Sequence, residues 1–332
     1  MKVLVTGGAG YIGSHVVRQL GEAGHDVVVF DNLSTGHAWA VTHGELVVGD
    51  LADPDAIEEV MEAHRFEAVL HFAAHIVVPE SVSNPLKYYS NNTRNTLNLL
   101  AALEKHRIPR LVFSSTAAVY GMPEETLLNE QTPLLPINPY GASKMMSERM
   151  ITDSAAASGL NYVILRYFNV AGADPQTRLG QATPEATHLI KVACECATGA
   201  RDGMQVFGND YDTRDGTCVR DYIHVEDLAS AHIRALEHMA GGGESQILNC
   251  GYGRGFTVRE VIDAVKRLSG VDFPVTQAPR RAGDPGALMA DNQRIRSVLD
   301  WVPRHDDLDT IVQTALDWER HWQKQMQTKN SY

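Results

Sequence analysis

Six residues into the chain, a short apolar run, Val3–Thr6, meets a glycine cluster, Gly7-Gly-Ala-Gly10-Tyr-Ile-Gly13. A helical period then begins at once, with Ile12, Val16 and Leu20 on one stripe. A strand that turns through glycines into a helix leaves backbone N–H groups free at the turn and lets a phosphate approach them closely. Few folds place such a turn at their very start, and the rest of the first half follows suit. Strand-length runs at Asp26–Phe30, Glu45–Val48, Ala68–Phe72, Arg110–Ser114 and Tyr162–Leu165 alternate with helix-period segments. Asp53-Pro54 supplies a cap and a first-turn proline for a helix over Asp55–His64. Leu97, Leu100, Ala101 and Glu104 mark another helix, and Pro139 precedes one over Tyr140–Ala157. Continuous apolar strands suit a parallel sheet covered on both faces. The expected class is α/β: a doubly wound parallel sheet (a Rossmann arrangement) with a smaller C-terminal α/β substrate lobe.

Beyond about residue 170 the rhythm changes. Loops lengthen at Gly172–Pro184 and Asn209–Cys218, and helices are expected at Pro184–Thr198, Asp227–Met239, Thr257–Ser269, Asn292–Asp300 and Leu308–Gln325. The division this suggests is 1–170 for the dinucleotide domain, with a return segment near 219–240. Residues 171–218 and 241–332 form the second lobe, with the active cleft between the two. The net charge of -12 and the lack of a basic run argue against nucleic acid and anionic membranes as partners. Cys194, Cys196, Cys218 and Cys250 have neither metal-type pairing nor the density of a secreted scaffold, so buried thiols in a reducing cytoplasm are expected. The start of the chain runs straight into the glycine loop, so no signal peptide is expected, and no apolar run reaches membrane-span length. The 14 histidines are scattered, with no metal-ligand spacing; His71 and His75 flank a strand end.

Asp31 ends the second strand, 18 residues past Gly13, where a carboxylate hydrogen-bonds an adenosine ribose and repels a 2′-phosphate. That favours NAD over NADP. Asp50 ends the third strand and could face the adenine. Tyr140 and Lys144 lie four apart on one helix face, 24 residues after Ser114-Ser115-Thr116. A free phenol, with pKa about 10, is a poor base near neutrality. A neighbouring ammonium and the positive ring of an oxidised nicotinamide favour the phenolate, and a Ser or Thr hydroxyl can hold a substrate hydroxyl. Together these residues can move a proton off an alcohol carbon while hydride leaves.

At Thr6–His15, Phe113–Gly121, Pro139–Lys144 and Leu165–Asn169 the chain resembles the extended short-chain dehydrogenase/reductases that act on nucleotide sugars. Phe207–Val225 and Ala278–Asp284 resemble the UDP-glucose 4-epimerases among them, and the similarity runs to roughly residue 320. The resemblance implies NAD held tightly, UDP-glucose and UDP-galactose as partners, and reversible inversion at C4 through a 4-keto sugar. It implies Tyr140 as the proton carrier, Lys144 on the nicotinamide ribose and Thr116 as the bridging hydroxyl. Gly7, Gly10, Tyr11, Ile12, Gly13, Asp31, Asn32, Asp50, Leu51, Phe72, Ala73, Ala74, Asn92, Ser114, Tyr140, Lys144 and Tyr167 would line NAD. Thr116, Asn169, His188, Leu189, Phe207, Arg220, Arg281 and Asp284 would line the UDP-sugar. A homodimer formed through the Leu97–Glu104 and Tyr140–Ala157 helices is also implied.

Three positions depart from the family's usual pattern. His188 stands where Asn is common, and Ile76 where some members carry Lys. Leu288 stands where a bulky Tyr goes with rejecting 2-acetamido sugars and a small residue with accepting them, so partial tolerance of UDP-N-acetyl sugars is expected. A nucleotide-sugar dehydratase would carry Asp-Glu where this chain has Ala117-Ala118. Epimerases of other UDP sugars share most of these residues. A non-catalytic NAD sensor on the same fold would typically lose Tyr140 or Lys144.

Overall fold

The computed structural model describes residues 1–183, 186–281 and 283–329. The chain runs β1 (Lys2–Thr6), α1 (Tyr11–Glu22), β2 (Asp26–Asp31), β3 (Glu45–Val48), α2 (Pro54–Ala63) and β4 (Ala68–His71). Next come the short α3 (Val78–Ser83) and α4 (Pro85–Tyr88), then α5 (Asn95–Lys105), β5 (Arg110–Thr116), β6 (Leu127–Leu128), α6 (Pro139–Ser158) and β7 (Asn161–Tyr167). The remainder is β8 (Asn169–Ala171), α7 (Leu189–Ala197), β9 (Met204–Phe207), β10 (Val219–His224), α8 (Val225–Ala240), β11 (Gln246–Cys250) and β12 (Gly255–Thr257). It closes with α9 (Val258–Ser269), β13 (Val275–Ala278), β14 (Ala287–Ala290), α10 (Gln293–Leu299) and α11 (Leu308–Lys329).

Seven strands form a parallel sheet in the order β11-β7-β5-β4-β1-β2-β3. Its inner strands are apolar without alternation because both faces are covered. Val3, Leu4 and Val5 are buried, as are Val69, Leu70, Leu111 and Val112. Each such side chain stabilises the fold by about 1.5–3 kcal/mol relative to exposure. One face packs against α1 and α8, the other against α2, α5 and α6. The order reverses beside β1, so the crevice at the strands' C-terminal ends opens at the glycine loop.

A smaller sheet, β12-β10-β14-β6 with β8 beside β10, and a pair β13-β9 build the second lobe with α7, α9 and α11. The expected elements recur with ends moved by a few residues. α7 begins at Leu189, with 186–188 in loop, while Pro184 of the expected 184–198 helix lies outside the described residues. β11 corrects the boundary drawn at 241: it pairs with β7 as an edge strand of the large sheet. α10 likewise packs against α8 and β11.

Glu226 at the start of α8 fastens the return segment to α1. It meets His15 and Arg18 in short contacts, and Gln19 Nε2 donates to it at 2.7 Å. Burial opposes its charge, but the bond from His15 and the Arg18 guanidinium hold its carboxyl far below the usual range. No helix among the described residues is long and apolar enough to cross a membrane.

Candidate active site

The glycine loop joins β1 to α1, and two of its positions show why no side chain fits. A Cβ on Gly7, which lies at φ +73°, would stand 2.5 Å from Ala73 N. One on Gly13 would stand 2.3 Å from the carbonyl oxygen of Gly7. The loop thus packs backbone against backbone. α1 starts at Gly10 without any side-chain cap, so the N–H groups of its first turn face the crevice. This cradle fits the diphosphate of a dinucleotide.

Asp31, at the end of β2, is 8% exposed. One of its carboxylate oxygens accepts from Ala9 N at 2.9 Å and the other from Leu33 N at 2.8 Å. Each oxygen keeps lone-pair capacity for a ribose hydroxyl. Asn32 Nδ2 donates to Asp50 at 2.9 Å, bringing the ends of β2 and β3 together beside Leu51. Phe72, Ala73 and Ala74 follow β4 at the next strand end. Asn92 is buried, and it clasps this loop. Its Nδ2 donates to His75 O and Ser143 Oγ, both at 3.0 Å, while its Oδ1 accepts from His75 N at 2.8 Å.

At the crevice centre, β5 ends in Ser114, Ser115 and Thr116, and the neighbouring β7 ends in Tyr167, level with Thr116. α6, capped by Asn138 Oδ1 accepting from Gly141 N at 2.9 Å, brings Tyr140 and Lys144 against these strand ends. Both side chains are buried, and the Tyr140 hydroxyl lies within hydrogen-bonding reach of Thr116. Lys144 Nζ stands 4.6 Å from the centre of the Phe113 ring.

The expected lowering of the Tyr140 phenol by Lys144 is not what the chain's own groups produce. Burial raises Tyr140 above its ordinary value, and the bond to Thr116 only partly offsets this. Lys144 is itself pushed down to about 7 by burial, with Glu148 acting in the opposite direction. Desolvation therefore drives both groups towards neutrality.

Across the crevice, the second lobe presents long polar side chains. Arg220, on β10, is in close ion-pair contact with Asp284, and its Nη1 donates to Val219 O at 2.8 Å. The Arg281 guanidinium stacks 3.8 Å from the Phe207 ring centre, and Arg280 sits 4.0 Å from that of Tyr211. Asn169 Nδ2 donates to Asp221 O at 3.3 Å. Leu288 lies level with Arg220 in the β10–β14 ladder. His188 stands at the N-cap of α7, immediately before Leu189, and takes a hydrogen bond from Gln181 Nε2 at 2.9 Å. Ile76 is 42% exposed.

Several participants escaped sequence reading. Ser114 Oγ meets His232 Nε2 at 2.9 Å, and His232 Nδ1 lies 2.8 Å from Leu228 O. The carbonyl can only accept, so Nδ1 carries the proton and Nε2 accepts from Ser114. Tyr11 Oη donates to Gly172 O at 2.6 Å, tying the glycine loop to the second lobe. Nothing local marks His232 or Gly172, since both act across more than a hundred residues. Glu148, which follows Lys144 by one helical turn, did have a signal in its spacing. All four cysteines are buried and free, and no His/Cys/Asp/Glu group that could hold a metal occurs among the described residues.

The chain belongs to the NAD dependent epimerase/dehydratase family, whose model matches residues 3–251. NAD is therefore its cofactor, and the glycine cradle fits it. Among individual relatives, a UDP-glucose 4-epimerase of Azospirillum brasilense is 58% identical over 320 residues, 96% of this chain and 92% of that protein. The crystal structure of a UDP-glucose 4-epimerase from Brucella ovis in complex with NAD superposes with a TM-score of 0.94. It is 47% identical and is matched over 96% of this chain and 98% of that one. The UDP-Glc/GlcNAc 4-epimerase of Campylobacter jejuni gives a TM-score of 0.85 at 50% identity, over 96% and 99% of the two chains.

Proposed function

We propose that this chain is a UDP-glucose 4-epimerase that interconverts UDP-glucose and UDP-galactose. The observation that carries the reading is the meeting of Thr116, Tyr140 and Lys144 at the strand ends that also bear the glycine cradle, in a chain whose second lobe carries Arg220 and Arg281. In this reading Tyr140 removes the proton of the sugar's 4-hydroxyl and later returns it. Thr116 holds that hydroxyl and shares its hydrogen bond with Tyr140. Lys144 holds the nicotinamide ribose and lends positive charge to the phenolate. NAD, when bound, would supply the reversible hydride chemistry at C4 and a positive ring that favours the phenolate.

Gly7, Gly10, Tyr11, Ile12 and Gly13 would hold the diphosphate end of NAD. Asp31, Asn32, Asp50 and Leu51 would hold the adenosine. Phe72, Ala73, Ala74, Asn92, Ser114 and Tyr167 would flank the nicotinamide side. Arg220 and Arg281 would grip the UDP diphosphate, which is the favoured use of guanidinium forks in an acidic protein. Phe207, Asp284, Asn169, His188 and Leu189 would complete that pocket. Arg220 must then exchange Asp284 for phosphate, or share itself between them. The dinucleotide half would comprise 1–170 with its return near 219–240, extended by β11 and α10, and the remainder would bind UDP-sugar.

Exposed apolar side chains on adjoining helices, Leu86, Leu97 and Met146, support a homodimer through α5 and α6. The four unpaired thiols support a cytoplasmic setting. The test is incubation of purified protein with UDP-galactose and no added NAD. UDP-glucose should form; silence with NAD demonstrably bound overturns the reading. A second assay follows from Leu288 beside Arg220 and the similarity to a UDP-Glc/GlcNAc 4-epimerase. Weak turnover of UDP-GlcNAc is expected, abolished in Leu288→Tyr; no turnover in either protein removes that extension.

A further inference from the structure

A buried ionic cluster lies directly behind the catalytic helix. Glu148 follows Tyr140 and Lys144 by two turns and one turn, so the three side chains leave α6 on the same side. Glu148 and Arg166 are each 3% exposed. Arg166 grips the carboxylate with two arms, Nη2 at 2.6 Å and Nε at 3.1 Å. Ser115 donates to the same carboxylate in a short contact. Ser115 and Arg166 are partners in the β5–β7 ladder, and the next rung pairs Thr116 with Tyr167. The cluster therefore sits one rung behind the site. Arg166 Nη1 also donates to Tyr120 Oη at 3.1 Å, and Tyr120 donates to Asn249 Oδ1 at 2.6 Å.

We propose that Glu148, clamped by Arg166 and Ser115, is a positioning residue that holds the charge of Lys144 and locks the catalytic helix to the strand bearing Thr116. This role rests on the epimerase reading above. Two opposite buried charges cancel at a distance, but Glu148 is one turn from Lys144 on the same helix. Its carboxylate favours the Lys144 ammonium, against the burial that disfavours it. The other groups around Lys144 supply no further negative charge. On β4, His71 is neutral, pushed to about 3 by burial and by Lys144. Burial raises Tyr140 on α6, Tyr162 and Tyr167 on β7, and Tyr120 after β5, and so keeps these phenols protonated. Glu130 turns to Asn249, whose N–H it accepts at 2.7 Å, and only its carbonyl faces Arg166.

The pair predicts shifts of opposite sign. Glu148→Gln leaves the Arg166 charge alone beside Lys144, so the Lys144 midpoint should fall by roughly one pH unit. Arg166→Met leaves the carboxylate alone, so the midpoint should rise by a similar amount. The double variant removes both charges, so its midpoint should fall below the parent but less than in Glu148→Gln. The readout is lysine-selective 13C NMR of the NAD-bound protein titrated with pH, with the resonance assigned by Lys144→Met. Should Glu148→Gln fail to fold, Glu148→Asp draws the carboxylate back by one methylene and should give a smaller fall.

A purely structural cluster would lower the melting temperature of both single variants and leave the midpoint unmoved, or move it the same way in both; either result overturns the proposal. The pH profile of kcat should follow, with the alkaline limb of Glu148→Gln moving down. Midpoints that shift as stated while the parent stays silent on UDP-galactose would strike the epimerase reading alone. An active parent with unmoved midpoints would strike this one alone.

Discussion

The two sides of the crevice are built from different materials. On the large-sheet side the cradle is backbone: Gly7 against Ala73, Gly13 against Gly7, and uncapped N–H groups at Gly10. On the lobe side it is side chain: Arg220 against Asp284, and Arg281 on Phe207. Backbone packed on backbone cannot rearrange without loss of the fold. Guanidinium groups on long side chains can change partners without moving the backbone. In the proposed function NAD would stay through every turnover, which suits the first construction, and a substrate that must enter, turn over and leave suits the second.

The widest separation should come from Tyr140→Phe, which removes the hydroxyl proposed to carry the proton together with its bond to Thr116. Turnover should fall by about 10²- to 10⁴-fold, while the NAD content of the purified protein stays at the parent level. Parent-like turnover would place the chemistry elsewhere.

Acid should test the buried histidines next. His71 and His232 are buried in the large-sheet half, with values held down by burial to about 3 and about 4. Unfolded histidine titrates near 6.5. Both are depressed, so their contribution is fully present above 6.5 and is lost as pH falls towards 4. Each costs about 1.4 kcal/mol per pH unit over that window. The melting temperature should drop steadily from pH 6.5 to 4.5, less steeply in His71→Gln; a flat profile would contradict the assignment.

Gly13→Ala probes the cradle itself. The added methyl overlaps the Gly7 carbonyl oxygen, so a loss of about 1–3 kcal/mol is expected, several degrees in Tm, together with a lower NAD content. Unchanged NAD retention and Tm would show that the loop yields. Arg281→Met should be the gentlest change. KM for the UDP-sugar should rise about 10- to 100-fold with NAD content and Tm unaltered, as for loss of one charge-assisted hydrogen bond. A fall in NAD content here would blur the division between the two sides.

The same division separates what was legible in the chain from what was not. The glycine loop, the strand before it, Asp31 at the end of β2 and the Tyr140/Lys144 pair are each written within a few residues. They depend on local periodicity, on the absence of a side chain, or on one helical turn. The order of the seven strands was not written there, nor was the membership of β11, which joins the large sheet from the far side of the second lobe. His232 beneath Ser114, Arg166 on Glu148 and Tyr11 on Gly172 likewise join residues between 18 and 161 positions apart.

Protonation was the least legible property. The four-residue spacing put Tyr140 and Lys144 on one face, and the ammonium together with an oxidised nicotinamide was expected to favour the phenolate. Only the packed structure shows that burial acts on both groups and raises Tyr140 instead. Spacing along a helix is a local quantity that the sequence determines by itself. Desolvation depends on everything folded around the helix, so the tertiary structure alone decides it.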